Sequence, residues 1–124
     1  VSDGLLRDAG RIACASGVVI DLDDPGDLPD ASFLGPVAAL VNGHDGSAAR
    51  QLARSWLLTG GEDHGLLATV PADGLERLPA GARVIGRVLS PQESPASVLG
   101  NRSGVLLAGE PVQERTGWDH FSQP

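Results

Sequence analysis

Apolar residues recur at helical spacing near the start of the chain, which predicts a helix over residues 4–16. Ser2 and Asp3 are residue types that cap helix N-termini, and Gly17 is the residue type that most often ends a helix. Arg11 falls on the polar side of this helix, where we expect it to face solvent.

Strands and helices mix along the rest of the chain without a regular βαβ repeat. The predicted strands are 18–23, 65–70 and 83–89, a hairpin pairs 105–107 with 111–112, and the predicted helices are 33–41, 48–57 and 72–78. Ser47 is the expected cap of the helix over 48–57, which Gly60 and Gly61 end. The pattern predicts an α+β fold, a mixed β-sheet with helices packed on it, in one domain over residues 1–124.

Composition narrows the possible partners. The chain is 41% hydrophobic, so it can bury a core, and its net charge is −7, which argues against a nucleic-acid or anionic-membrane surface. It contains no apolar run of membrane-spanning length, and we expect a cytoplasmic protein.

Two features that could suggest metal or redox chemistry have simpler explanations. The single Cys14 excludes an internal disulfide and a multi-cysteine metal site, and we expect it to be buried as a small apolar residue on a helix. The acidic stretch 21–30 fails the calcium-loop pattern because Pro25 and Ser32 occupy ligand positions. A solvated, proline-broken loop accounts better for it.

Three stretches carry candidate chemistry. Ser2 and Asp3 lie where a helix N-terminus favours an anion such as phosphate, with Asp3 holding a cation, although a plain N-cap fits equally well. Glu62 and Asp63 follow two glycines; they could hold Mg²⁺, hydrogen-bond a cationic ring, or be solvated acids in an ordinary turn. Trp118 could stack on a ring or dock the tail on the core.

Taken in order, these stretches resemble the thiamine-monophosphate kinase family. Residues 1–6 and the helix that follows resemble its second-half motif, and residues 58–64 resemble its Gly-Gly-Glu-Asp segment, with His64 in place of the usual Tyr. Residues 85–88 and 117–121 fit its C-terminal end. The family is grouped with the aminoimidazole-ribonucleotide-synthetase-like enzymes, which have an N-terminal ATP- and Mg²⁺-binding half and a C-terminal α+β half.

The resemblance implies transfer of the ATP γ-phosphate to thiamine monophosphate, giving thiamine diphosphate with Mg²⁺ as cofactor. It implies that Ser2 contacts ATP, Asp3 binds Mg²⁺, and Glu62 and Trp118 bind the thiamine substrate; it assigns no catalytic base here. It also implies that residues 1–124 are the C-terminal, substrate-side domain of a two-domain enzyme, inactive without the N-terminal half and homodimeric at full length.

Two other functions are compatible with the same pattern. One is another ATP-dependent member of the superfamily, of the selenophosphate-synthetase or hydrogenase-maturation type, which should not share the tail over 118–121. The other is a non-catalytic binding or assembly module that kept the fold. A preceding domain rich in Asp and Gly would favour the kinase.

Overall fold

The computed structural model describes residues 1, 3–28, 31–41, 46–61, 65–94 and 104–112. Within these ranges the helices are α1 (Leu5–Ser16), α2 (Ala31–Val41) and α3 (Gly46–Thr59), and the strands are β1 (Val19–Leu22), β2 (Gly86–Leu89), β3 (Val105–Leu107) and β4 (Glu110–Pro111). Short 3₁₀ helices cover Pro25–Asp27, Ala72–Arg77 and Pro91–Glu93. None of the helices in these ranges is long and apolar enough to cross a membrane.

The four strands form one sheet in the order β2-β1-β3-β4. Strand β1 pairs antiparallel with β2 and parallel with β3, so Ile20 lies between Val88 and Val105. Strands β3 and β4 form the expected hairpin, in which Leu107 pairs with Glu110. A mixed sheet with helices beside it confirms the predicted α+β fold.

Helix α1 covers one face of the sheet. Its spacing places Leu6, Ala9 and Ala13 on one stripe, and all three are buried against Ile20 and the neighbouring strand positions. Each fully buried leucine contributes on the order of 2 kcal/mol through removal of apolar surface from water. This layer fixes α1, and with it the chain just before the helix, relative to β1 and β3.

Helices α2 and α3 pack against each other through small side chains. Ala38 of α2 meets Ala49 and Ala53 of α3, and all three are buried, while Trp56 packs at the edge of this cluster. Ser47 does not cap α3 as predicted, because the helix begins at Gly46 and an N-cap residue has non-helical backbone angles.

The ends of α1 correct two expectations and confirm a third. Gly4 is its N-cap residue, without a side-chain cap bond, so Asp3 does not cap the helix, and Ser2 lies outside the described residues. Gly17 ends the helix in the left-handed conformation, as predicted. Cys14 is exposed rather than buried, because it follows Ala13 by about 100° around the helix and leaves the buried stripe.

The predicted strand over 65–70 is not formed. Leu66 is 95% exposed, and residues 65–70 pair with no strand in the described part of the chain. Leu67 packs against the core beneath α1. The apolar run therefore anchors this segment through one side chain and does not extend the sheet.

Candidate functional site

The chain before α1 packs against the end of α3. A Cβ on Gly4 would lie 2.7 Å from the carbonyl oxygen of Thr59 and 2.9 Å from its carbonyl carbon, and the φ angle of Gly4 is 99°. Only glycine combines this φ with such a close approach. The motif around Asp3 and the Gly60-Gly61 motif, far apart in sequence, therefore touch.

A second contact joins the same two regions. The backbone nitrogen of Val1 donates a hydrogen bond to the carbonyl oxygen of Gly65. Gly4 and Val1 thus contact the chain on both sides of the predicted substrate-binding residue Glu62, at Thr59 and at Gly65 respectively. Glu62 itself lies outside the described residues, as do Asp63 and His64.

The structure explains why residue 60, the first of the Gly60-Gly61 pair, is a glycine. Its N–H donates to the carbonyl oxygen of Trp56 at 2.9 Å, and a Cβ at this position would overlap that oxygen. Thr59 closes the same turn, since its hydroxyl donates to the carbonyl oxygen of Ser55 at 2.8 Å. The carbonyl end of α3 carries partial negative charge, which favours a cation next to it.

Asp3 forms an ion pair. The Nη1 atom of Arg11 lies 2.5 Å from Asp3 Oδ2 and 3.1 Å from Asp8 Oδ1, so one nitrogen contacts two carboxylates. The Arg11 side chain is 55% exposed, in line with the expectation that it faces solvent. Its guanidinium, however, points towards the N-terminus of α1, where it contacts Asp3. The hydrogen bond to Asp3 is the main reason that the pKa of Arg11 is raised above its ordinary value.

Asp3, the predicted Mg²⁺ ligand, suits the metal as the source of one oxygen ligand among several. Asp3 is one-third exposed, so its carboxylate can reach solvent ions. The residues that the structure describes hold no group of three or more His, Cys, Asp or Glu side chains placed to share a metal. Mg²⁺ commonly takes one or two carboxylates and completes its shell with phosphate oxygens and water. Asp3 suits that arrangement.

The predicted contacts to ATP and thiamine stay predictions. Ser2 and Trp118 lie outside the described residues, as Glu62 does, so Asp3 is the predicted site residue whose surroundings are visible.

A buried carboxylate was missed by the sequence reasoning. Asp21 was placed both in the predicted strand 18–23 and in the solvated acidic stretch 21–30, and the structure shows it inside β1 and only 5% exposed. Its Oδ2 accepts bonds from Arg87 Nε at 3.1 Å and Nη2 at 2.9 Å, and its Oδ1 accepts the N–H of Gly109 at 2.8 Å. Its position inside the β-branched run of β1 was the available signal. These contacts join β2 and the hairpin turn to the central strand.

A cleft of about 680 Å³ lies between the Pro25–Asp27 turn and helices α2 and α3. Its charged lining includes Asp24, Arg50 and Arg54. Asp24 accepts the N–H of Gly26 at 2.8 Å and pairs with Arg54 at 2.9 Å, so these groups already neutralise each other. Asp3, the predicted site residue that lies within the described ranges, does not line this cleft.

The structure is an α+β domain in which the motif that contains Asp3 and Gly4 lies against the Gly60-Gly61 motif at the end of α3. Over all 124 residues the chain is 40% identical to the thiamine-monophosphate kinase of Mycobacterium tuberculosis, in strains CDC 1551 / Oshkosh and ATCC 25618 / H37Rv. It is 44% identical over 87 residues, 70% of the chain, to the thiamine-monophosphate kinase of Corynebacterium glutamicum.

These matches confirm the resemblance to thiamine-monophosphate kinase. The chain spans 31% of the length of the Mycobacterium tuberculosis protein, and its matched part spans 22% of the Corynebacterium glutamicum protein. No family model and no solved structure matches the chain.

Proposed function

We propose that this chain is the C-terminal, substrate-side domain of a thiamine-monophosphate kinase, which transfers the γ-phosphate of ATP to thiamine monophosphate and forms thiamine diphosphate. The observation that carries this proposal is the 40% identity over the whole chain to a protein of that name. Because the chain covers 31% of that protein, the reaction is assigned to the full-length enzyme. We place it in the cytoplasm as a homodimer, with no nucleic-acid or membrane partner and no activity in the isolated domain.

The proposed site combines the two motifs that meet at Gly4 and Thr59. Ser2 contacts ATP and Asp3 binds Mg²⁺ on the phosphate side, while Glu62 and Trp118 bind thiamine monophosphate. The contacts from residues 1–4 to Thr59 and Gly65 support this grouping, since they tie the Asp3 segment to both ends of the Glu62 segment. Phosphoryl transfer depends mainly on such positioning and on charge neutralisation.

Mg²⁺, when bound, would neutralise charge on the phosphate oxygens. Asp3 would supply one oxygen ligand and orient the phosphate side of the site at the N-terminus of α1, where backbone N–H groups also favour phosphate. We propose no catalytic base among these residues. Their role is to hold the reactants and offset their charges.

The end of α3 suits the substrate that we propose. Thiamine carries a cationic thiazolium ring, and the last carbonyl groups of a helix attract cations. Glu62 follows this end by three residues in the sequence, and we propose that its carboxylate contributes negative charge to the substrate site. An aromatic side chain such as Trp118 would complete a cation–π contact with the ring.

The test is a steady-state assay of thiamine diphosphate formation by the full-length enzyme from thiamine monophosphate and ATP. Glu62→Ala should lower kcat/KM for thiamine monophosphate about 10- to 100-fold, because it removes a hydrogen bond to a charged group. Glu76→Ala, at an exposed position of the Ala72–Arg77 turn, is the matched control and should leave kcat/KM unchanged.

Two outcomes would contradict different parts of the proposal. A wild-type enzyme that forms no thiamine diphosphate refutes the function. A Glu62→Ala variant that matches wild type refutes the substrate-site assignment alone.

A further inference from the structure

Arg11 occupies the position of a cation between two carboxylates. Its Nη1 atom contacts Asp3 on one side and Asp8 on the other, at 2.5 Å and 3.1 Å. The proposed function makes Asp3 a metal ligand. Arg11 occupies Oδ2 of this carboxylate and places its positive charge beside the other oxygen, where it would repel a divalent ion. The ion pair seen here and metal binding by Asp3 therefore compete.

We propose that Arg11 is the built-in counter-ion of Asp3 and that a divalent cation must displace it, so that Arg11 sets the metal affinity of this carboxylate. The inference rests on the proposed function, because it takes Asp3 as a metal ligand. Arg11 carries no metal itself; it is a positioning residue that neutralises Asp3 until the ion arrives.

Asp8 makes the exchange reversible. It lies three residues before Arg11 on the same face of α1, its side chain is 17% exposed, and its own contact to Arg11 does not involve Asp3. When Asp3 turns to a metal ion, Arg11 keeps the partner Asp8, so the guanidinium is not left without a counter-charge. The same contact holds Arg11 close enough to return when the ion leaves.

The protonation state of Arg11 does not interfere with this role. The hydrogen bond that Arg11 donates to Asp3 raises the pKa of a guanidinium that is already charged at every physiological pH. Competition therefore persists across the working pH range, and the metal concentration decides which partner Asp3 has.

The first test is a Mn²⁺ titration of the full-length enzyme followed by electron paramagnetic resonance of free Mn²⁺. The site in question is the one that Asp3→Asn weakens. Arg11→Gln should bind Mn²⁺ there about two- to fivefold more tightly, the value of one exposed ion pair. Arg11→Lys keeps the charge and should stay close to wild type.

Arg50→Gln is the matched control. It removes the same charge from an exposed position on α3, and it should leave the Mn²⁺ affinity unchanged. Equal tightening by Arg50→Gln would overturn the proposal, because net charge alone would then explain the effect. Unchanged affinity in Arg11→Gln, in a protein where Asp3→Asn weakens binding, would overturn it as well.

A second readout follows Arg11 directly. In ¹⁵N spectra of arginine side chains, added Mg²⁺ should shift the Arg11 signal and leave the Arg50 signal in place. An Arg11 signal that does not respond to saturating Mg²⁺ contradicts displacement. If Asp3→Asn has no effect on metal binding in either experiment, the failure lies with the metal assignment in the proposed function, and this inference falls with it.

Discussion

Gly4 and Thr59 are in direct backbone contact: a Cβ on Gly4 would come within 2.7 Å of the Thr59 carbonyl oxygen. Gly4 also has a φ of 99°, which side-chain-bearing residues rarely adopt. We expect Gly4→Ala to lower the free energy of unfolding by about 2–5 kcal/mol, the sum of backbone strain and overpacking. Urea denaturation followed by circular dichroism measures this.

Two other glycines separate strain from overpacking. Gly17 has a φ of 64° with nothing within 4 Å of a Cβ, so Gly17→Ala should cost about 1 kcal/mol from strain alone. Gly35 lies within α2 with equally open surroundings, and Gly35→Ala should stabilise by about 0.5–1 kcal/mol. A Gly4→Ala variant no less stable than Gly17→Ala would show that the contact with Thr59 is loose.

Asp21 should contribute to stability through its buried contacts. Asp21→Asn removes the negative charge of the carboxylate to which Arg87 and the N–H of Gly109 donate hydrogen bonds. It should lower the free energy of unfolding by about 1–3 kcal/mol in chemical denaturation. Asp27→Asn, at an exposed position of the Pro25–Asp27 turn, is the control and should stay within about 0.5 kcal/mol of wild type. If both variants are equally stable, the buried contacts of Asp21 contribute no more to stability than an exposed carboxylate does.

The pair Ser90 and Glu93 should give a pH-dependent contribution. Glu93 Oε2 accepts bonds from the Ser90 hydroxyl at 2.7 Å and from its backbone N–H at 3.1 Å, and these bonds lower the pKa of Glu93 below its ordinary value. A depressed carboxyl pKa stabilises the fold above the unfolded pKa, about 4.3, and that stabilisation is lost as pH falls through the folded value.

Ser90→Ala should therefore destabilise the protein at neutral pH and approach wild type in acid. Thermal unfolding of both proteins from pH 7 to pH 3 measures the difference. A gap between the two melting temperatures that stays constant over this range would show that the bonds to Glu93 do not depend on its charge.

Cys14 should react readily with thiol reagents in the folded protein. It is a free thiol exposed on the outer side of α1, so no unfolding is needed for access. Iodoacetamide labelling, read by mass spectrometry of the peptide containing Cys14, should reach completion at the same rate with and without low urea. Labelling that accelerates steeply with urea would mean that the thiol is buried.

The helices could be predicted from sequence because their signals are local. The stripe of Leu6, Ala9 and Ala13 and the stop at Gly17 lie within one segment, and the structure confirms them. The prediction of a strand over 65–70 was wrong because an apolar run indicates burial, whereas a strand also needs a neighbouring strand with which to form hydrogen bonds. Leu67 packs against the core without such a neighbouring strand.

Contacts between distant residues set the limit of the site prediction. Composition and spacing could not show that Gly4 touches Thr59, and the resemblance alone grouped their motifs. The burial of Asp21 likewise depends on Arg87, 66 residues away. For Asp3, the sequence indicated a charged group at a helix start, but the partner Arg11 follows from the direction of a side chain, which spacing does not specify.

The parallel pairing of β1 with β3 has a consequence for how the chain folds during synthesis. Ile20 pairs with Val105, so β1 leaves the ribosome long before its partner exists. Contacts this distant in sequence form slowly, because a long loop must close first. Until then α1 and β1 expose apolar side chains such as Leu6 and Ile20. The nascent chain should therefore need protection from aggregation until the β3–β4 hairpin has emerged.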